Sequence, residues 1–497
     1  MLHTEARTSY ERKTSGLSPN QDLLSGRTRC FVRYLAPVLF PILGFGQVSL
    51  NPGNNIQQVV NQYPAGTTFT LNPGVYRLQS IQPKDGDTFI GAPGAVLSGA
   101  QVLTSFAQQG SLWVVSNQTQ QGQLNGSCDA QHPECMHPED LYFDNAPLLH
   151  VQDLASVTSG AWYFDYASQK IYFADDPTNH TVETSVARSA FYGPAKNVTI
   201  RGLTVEKYAI PAQFGAIGDQ YPGPNWIIAN NEVRWNHGNG INLASGSQAL
   251  NNYVHHNGQK GIGGNGQNLL VQGNEISYSN WAGFDIGWEA GGAKFAQTNG
   301  LTVRNNRIHD NIGAGLWNDV DSINTLYENN TIENNVGGGI QYEISYNANI
   351  RYNTVRNNAN FASGWMWGAQ ILIMNSSNVF VYGNRVDVAP TAGNGIGIIQ
   401  QNRGSGAYGP RVSANDLIFR NSITYRHSPN GTSGIVGDYN VQALLALGNN
   451  WFDYNAYHVT DPTACGWMWG GYETWAGMQQ LGQELHGTLD TKLPVWP

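Results

Sequence analysis

Beyond Asn197 the chain alternates apolar and polar residues in short runs, and each run starts behind an asparagine. The runs open as NEV at Asn231, NYV at Asn252, NEI at Asn274, NRI at Asn306, NTI at Asn330, NTV at Asn353, NRV at Asn384, NSI at Asn421 and NNW at Asn449. They lie 21 and 22 residues apart between Asn231 and Asn274, and 24 and 23 apart between Asn306 and Asn353. Period-two alternation means strands, and no apolar stripe of helical period runs through these segments. A strand-built repeat of this length predicts an all-β parallel β-helix in which each repeat is one coil. Asparagine suits the coil corner because it tolerates left-handed backbone and its amide can stack on that of the next coil. Leucine-rich repeats share the period, but their leucine spacing is absent. Intervals of 32 (Asn274 to Asn306) and 37 (Asn384 to Asn421) predict coils with inserted loops, which in solenoids build the binding face.

The same pattern divides the chain. Residues 1–47 read as a leader and signal peptide. The run from Phe31 to Gly46 is apolar but short and broken by proline, with Arg27, Arg29 and Arg33 before or at its start. It therefore fits an export signal rather than a spanning helix. Residues 48–100 are an N-terminal cap and first coils, with a short helical pattern from Asn54 covering the open ladder. Residues 101–189 interrupt the coils with LYFDNAPLLHV and AWYFDYASQKIYFADD, read as an inserted β-rich lobe. The main coils span 190–457, and 458–497 form a C-terminal cap or flanking tail. Export predicts a secreted or periplasmic protein, monomeric and without stable membrane insertion once the signal is removed.

Composition narrows the function. With 58 glycines, 11% aromatic and 12% charged residues, the chain is too apolar for disorder and rich in turns. A formal charge of -9, from 26 basic and 35 acidic residues, disfavours nucleic acid as a partner and, more weakly, strongly polyanionic substrates. Cys128 and Cys135 flank the loop CDAQHPEC, and export favours a local disulfide between them. Zinc held with His132 and His137 is the alternative, although the spacing matches no common structural zinc pattern. Cys465 is then left unpaired.

Aligning the glycines before Phe284, Leu316 and Ile340 sets the register of three coils. If these residues, with Ile286, Val320 and Ile344, face inward, the residues between them face out. The outward columns then read Asp285, Trp317, Gln341; Gly287, Asp319, Glu343; and Glu289, Asp321, Ser345. Asp319 and Glu343 would sit one strand spacing apart, roughly 5 Å, the separation of a retaining glycosidase pair. Two carboxylates this close favour a proton on one of them. Glu343, with the longer side chain, is the acid/base candidate and Asp319 the nucleophile candidate; no metal is needed. Asp285, Glu289, Asp321 and Gln341 are candidate sugar-hydroxyl binders, and Trp288 and Trp317 candidate apolar platforms. Lys294 would bind a substrate carboxylate or hold Glu289, and His309 would border the grid. His237 and His256 are weaker candidates for lengthening the groove. Trp365, Trp367, Trp467 and Trp469 read as packing.

With WYFDYASQKIYFADDP in the inserted block and the paired acids a coil apart, the chain resembles right-handed parallel β-helix (pectate-lyase-like) proteins acting on carbohydrates. The likeness covers roughly Asn54 to Tyr457 and is greatest to β-helix glycoside hydrolases that include a retaining xylosidase family. The resemblance implies an aspartate nucleophile and a glutamate acid/base one coil later, positions that Asp319 and Glu343 match, with an oligosaccharide or polysaccharide as substrate. A polysaccharide lyase or uronan epimerase is the enzyme alternative, with Ca²⁺ on Asp285, Asp319, Asp321 and Glu289 and Lys294 as base. A noncatalytic carbohydrate-binding surface protein is the third reading, since one fold hosts all three.

Overall fold

The computed structural model describes residues 47–360, 365–427, 431–463 and 466–495. The expected leader and signal segment and Cys465 lie outside them. The described chain winds as a right-handed parallel β-helix with three ladders. One is a 13-stranded sheet from Gly74–Arg77 to Thr488–Asp490; the other two merge into a 24-stranded sheet. The ladder that carries Asp319 and Glu343 climbs through Lys260–Gln267, Gly291–Asn299, Ala314–Asp319, Ile340–Glu343, Ala369–Met374 and Asn394–Gln400.

β-Branched residues fill the interior because each strand turns alternate side chains inward. Val254, Ile276, Ile308, Ile332 and Val355 form one such row, all fully buried, each worth about 1.5–3 kcal/mol of burial. The asparagines tie the coils together. Asn330 Nδ2 donates to Val303 O (2.9 Å) and to Asn353 Oδ1 (2.9 Å), while its Oδ1 accepts from Asn306 N and Nδ2, both at 3.0 Å. This pattern repeats from Asn231 to Asn455. The ladder's last asparagine is Asn455, not Asn449 as the triplets suggest. Asn449 and Asn450 occupy the preceding corner, where Asn450 Oδ1 accepts from Asp416 N at 3.0 Å.

Helix Ile56–Gln62, capped by Asn55 Oδ1 on Gln58 N (2.9 Å), buries Ile56 and Val60 against the first coils. The lobe adds a four-stranded and a five-stranded sheet from residues 100–185, with a core of its own around Trp162, Phe164, Ile171 and Phe173. Cys128 and Cys135 form a disulfide, so neither is a thiolate for zinc. In the tail, Trp467 is buried and Trp469 packs against the core, whereas Trp365 and Trp367 stand on a turn, 41% and 37% exposed. Among the described residues no helix is long and apolar enough to cross a membrane.

Candidate active site

The outward columns form around Trp317 and Asp319, with one coil corrected. Trp317 pairs with Gln341 on one side and with Lys294 on the other, and Ala296 stands beside Asp319. Asp319 follows Asn318, which pairs with Tyr342, so Glu343 is its neighbour in the next coil. The preceding strand is therefore Gly291–Asn299, not the segment after Gly283. Residues Ile286–Glu289 are a helical turn instead, capped by Asp285 Oδ1 on Gly287 N (2.7 Å). Phe284 leaves the solenoid core altogether, pairing with Cys128 and packing beside Cys135. Ile286 is exposed.

The third expected column does not form either. Ser345 stacks on Ser322, whose N–H it accepts, in a hydroxyl ladder of Thr298, Ser322, Ser345 and Ser376. Asp321 stands one residue off this ladder, in the turn. Val320 and Ile344 are turn residues too, at φ +47° and +38°. The same turn position in the flanking coils holds Gln297 (φ +52°) and Asn375 (φ +47°). β-Branched residues pay a steric penalty there of about 1–2 kcal/mol that Asn largely escapes. The strained pair directly follows Asp319 and Glu343.

Four carboxylates in this cleft each meet a basic side chain. Asp319 Oδ2 lies 3.0 Å from Lys294 Nζ, and its Oδ1 accepts from Val320 N at 2.8 Å. Glu289 pairs with buried Lys260 and accepts from Gln213 Nε2 at 2.7 Å. Asp321 Oδ2 meets Arg411 Nη2 at 3.0 Å. Glu343 Oε1 meets Arg403 Nη1 at 2.6 Å, and its Oε2 accepts from Trp317 Nε1 at 3.1 Å. Pairing of this kind is what permits charges to sit in a half-enclosed site. Burial, then the Asp319 charge, raise the Glu343 carboxyl above its ordinary value, against the opposing pull of Arg403 and Lys294. Burial and the Lys294 ammonium lower the Lys260 amine well below its ordinary value, with Asp319 opposing.

A cavity of about 320 Å³ opens on the Lys294 side of Asp319, lined in part by Gln213, Asn242, Lys260, Glu289, Lys294 and Val320. Glu343 and Arg403 lie outside its lining, on the other side of Asp319.

Other expected binders go elsewhere. Trp317 is buried, with the Lys294 ammonium 3.7 Å from its ring centre covering one face, and its indole N–H donates to Glu343. Trp288 packs toward Phe284 under the lobe rather than offering a sugar platform. Asp285 serves the helical cap and sits against Ser127 of the lobe, its N–H donating to Ser127 O. Lys294 is 3.8 Å from Glu289, but its closer carboxylate is Asp319. Gln341 holds its place beside Trp317. His309 belongs to the 13-stranded sheet, between Ser277 and Glu333, bonded to Glu275 and Asp310, and does not border the acids. His237 is buried at the lobe, bonded to Asp140 and Cys135 O. His256 stacks on Tyr278, and burial brings its pKa down to about 4. Sequence reasoning missed Gln213, Lys260, Arg403 and Arg411. The signal for the two arginines was the 37-residue interval, whose loop NRGSGAYGPR carries both.

Residues 220–386 match the model of the right handed beta helix region. No curated protein sequence matches the chain. Among solved structures, the complex of XylC with xylose superposes at a TM-score of 0.65 and 17% identity, over 90% of this chain and 86% of that one. A catalytic domain of α-1,3-glucanase in complex with tetrasaccharides gives 0.48 and 11%, over 90% and 68%. A mannuronan C-5 epimerase A-module from Azotobacter vinelandii gives 0.45 and 15%, over 89% and 93%. The fold is that of the right-handed parallel β-helix, an architecture shared with carbohydrate-active proteins.

Proposed function

We propose that the protein is a retaining glycoside hydrolase acting on an oligosaccharide or polysaccharide. The observation that carries this reading is the pairing of Asp319 and Glu343 in one outward column on adjacent coils, in unlike surroundings. Asp319 has both oxygens held, by Lys294 and by Val320 N–H, which aims it as a nucleophile. Glu343 is buried with a raised pKa, as an acid that must carry a proton requires. In the first step Asp319 bonds to the anomeric carbon as the glycosidic C–O bond breaks, and Glu343 gives its proton to the leaving oxygen. In the second, Glu343 takes a proton from water, whose oxygen bonds to the anomeric carbon and frees Asp319. The cavity beside Lys294 suits the sugar that is attacked, being at the small end of the roughly 300–1,000 Å³ of ligand sites.

The XylC complex with xylose has the same fold, and this supports a sugar ligand without fixing which. The lyase or epimerase reading is weaker, because the carboxylates it would give to Ca²⁺ are engaged by Lys260, Lys294 and Arg411, or, for Asp285, by a helix cap.

The test is a glycan screen of wild type beside Asp319→Asn and Glu343→Gln, following the product anomer by NMR. Loss of hydrolysis in both, with azide restoring Asp319→Gly as an inverted glycosyl azide, supports the pair. An unsaturated product absorbing in the ultraviolet, or full hydrolysis by both variants, overturns it.

A further inference from the structure

The loop between strands Asn394–Gln400 and Leu417–Phe419 reaches back across the coils to the acids. It is seated at three points. Arg411 pairs with Asp321, Tyr346 Oη donates to Gly409 O at 2.8 Å, and Tyr346 packs edge-on to Tyr408. Gly406 lies so close that a Cβ there would come within 1.9 Å of Asp321 Oδ1, so a larger residue would push the Asp321 carboxylate aside. From this seated loop Arg403 extends to Glu343 Oε1 while staying one-third exposed.

That contact conflicts with the role of Glu343. A guanidinium on Oε1 stabilises the charged carboxylate, whereas an acid has to be protonated there before it can act. Trp317 occupies Oε2, so Oε1 is the oxygen available for the proton. A neutral sugar offers Arg403 nothing to exchange for Glu343. A carboxylate does, and Arg403, unlike Lys260 or Lys294, is exposed enough to meet one. With the attacked sugar assigned to the cavity on the Lys294 side of Asp319, as proposed above, Arg403 falls on the side of the departing group.

We propose that Arg403 is the receptor for a carboxylate on the leaving-group side of the scissile bond, which makes the substrate a glycan bearing a uronosyl residue there. Resting on the hydrolase reading above, this also couples recognition to chemistry. Arg403 moves from Glu343 to the substrate carboxylate, Glu343 Oε1 takes up one proton from solvent, and that proton passes to the glycosidic oxygen as its bond to the anomeric carbon breaks. A single uronosyl residue suffices, consistent with a chain that is acidic overall.

The test is calorimetric binding of uronosyl disaccharides and their neutral hexosyl counterparts, in buffers of different ionisation enthalpy, with hydrolysis followed in parallel. Wild type is expected to bind the uronosyl sugars about tenfold or more tightly and to take up protons from solvent on binding. Arg403→Gln loses both the preference and the uptake, while Arg403→Lys keeps part of the preference. Thermal melts of both variants monitor the fold. Equal affinity for the two classes, or a preference that survives Arg403→Gln, overturns the proposal. Neutral chains hydrolysed without uronosyl preference overturn it alone. Arg403-dependent uronosyl binding with no hydrolysis overturns the hydrolase reading alone.

Discussion

Trp317 donates its indole N–H to Glu343 across the coil boundary, and the same ring bears the Lys294 ammonium that pairs with Asp319. One side chain thus connects Glu343 to the cation that pairs with Asp319. An error in its placement is felt by both carboxylates.

Replacing Trp317 by Phe keeps a ring under Lys294 and removes the N–H. A hydrogen bond to a charged group is worth about 1.5–3 kcal/mol, so kcat is expected to fall about ten- to a hundredfold. Urea unfolding should change little. Unchanged steady-state kinetics would show that Trp317 is packing only.

The pH profile carries a second expectation. Glu343 must be protonated to act, and its pKa is raised by burial and Asp319 and held back by Arg403. Activity should therefore be present at lower pH and be lost as pH rises through the Glu343 pKa. Arg403→Met removes the opposing charge, so the alkaline limb of kcat/KM on a neutral substrate moves to higher pH. A limb that stays put, or moves down, contradicts the assignment of Glu343 as acid.

The strained turn gives a third. Val320→Asn relieves the left-handed backbone and should raise stability by about 1 kcal/mol, while Gln297→Val, at the same turn one coil earlier, should cost about as much. Thermal melts of the two variants, compared with wild type, check the opposite signs.

The fourth concerns Glu484, where the asparagine ladder ends. Its Oε1 accepts from Asn455 Nδ2 at 2.7 Å and from Tyr457 Oη at 2.8 Å. Burial, only partly offset by these bonds, pushes its pKa up to about 7 from 4.5. The folded state keeps a proton that the unfolded chain releases, so stability is full below the unfolded value and falls as pH rises from about 4.5 to about 7. The total is roughly 3 kcal/mol. Glu484→Gln should flatten this dependence in urea titrations at pH 5 and pH 8.

The solenoid was readable because asparagine does the same work in every coil, and Asn231 to Asn421 mark eight of its corners, 21 to 24 residues apart wherever no loop is inserted. Asp319 and Glu343 were readable for the same reason, since both coils are free of insertions. The coil before them was not. Its segment GFDIGWE mimics GLWNDVD, but Asp285 caps a helical turn and the true strand, GGAKFAQTN, looks like a glycine-rich loop. Wrong register there misplaced Asp285, Trp288 and Glu289 together, because a slip in a strand moves every side chain on it. Arg403 was hidden for another reason. It reaches Glu343 from 60 residues away through a loop with no period of its own.

The acid pair and the loop are consequently free to evolve apart. The gap between Asp319 and Glu343 is set by the rise from one coil to the next, a dimension common to every strand in the stack, so whole coils can be gained or lost above or below without altering it. What hangs over the pair is an appendage inserted at a single corner, and exchanging that appendage would change the groups that meet Glu343 and Asp321 without moving the coils that carry the pair.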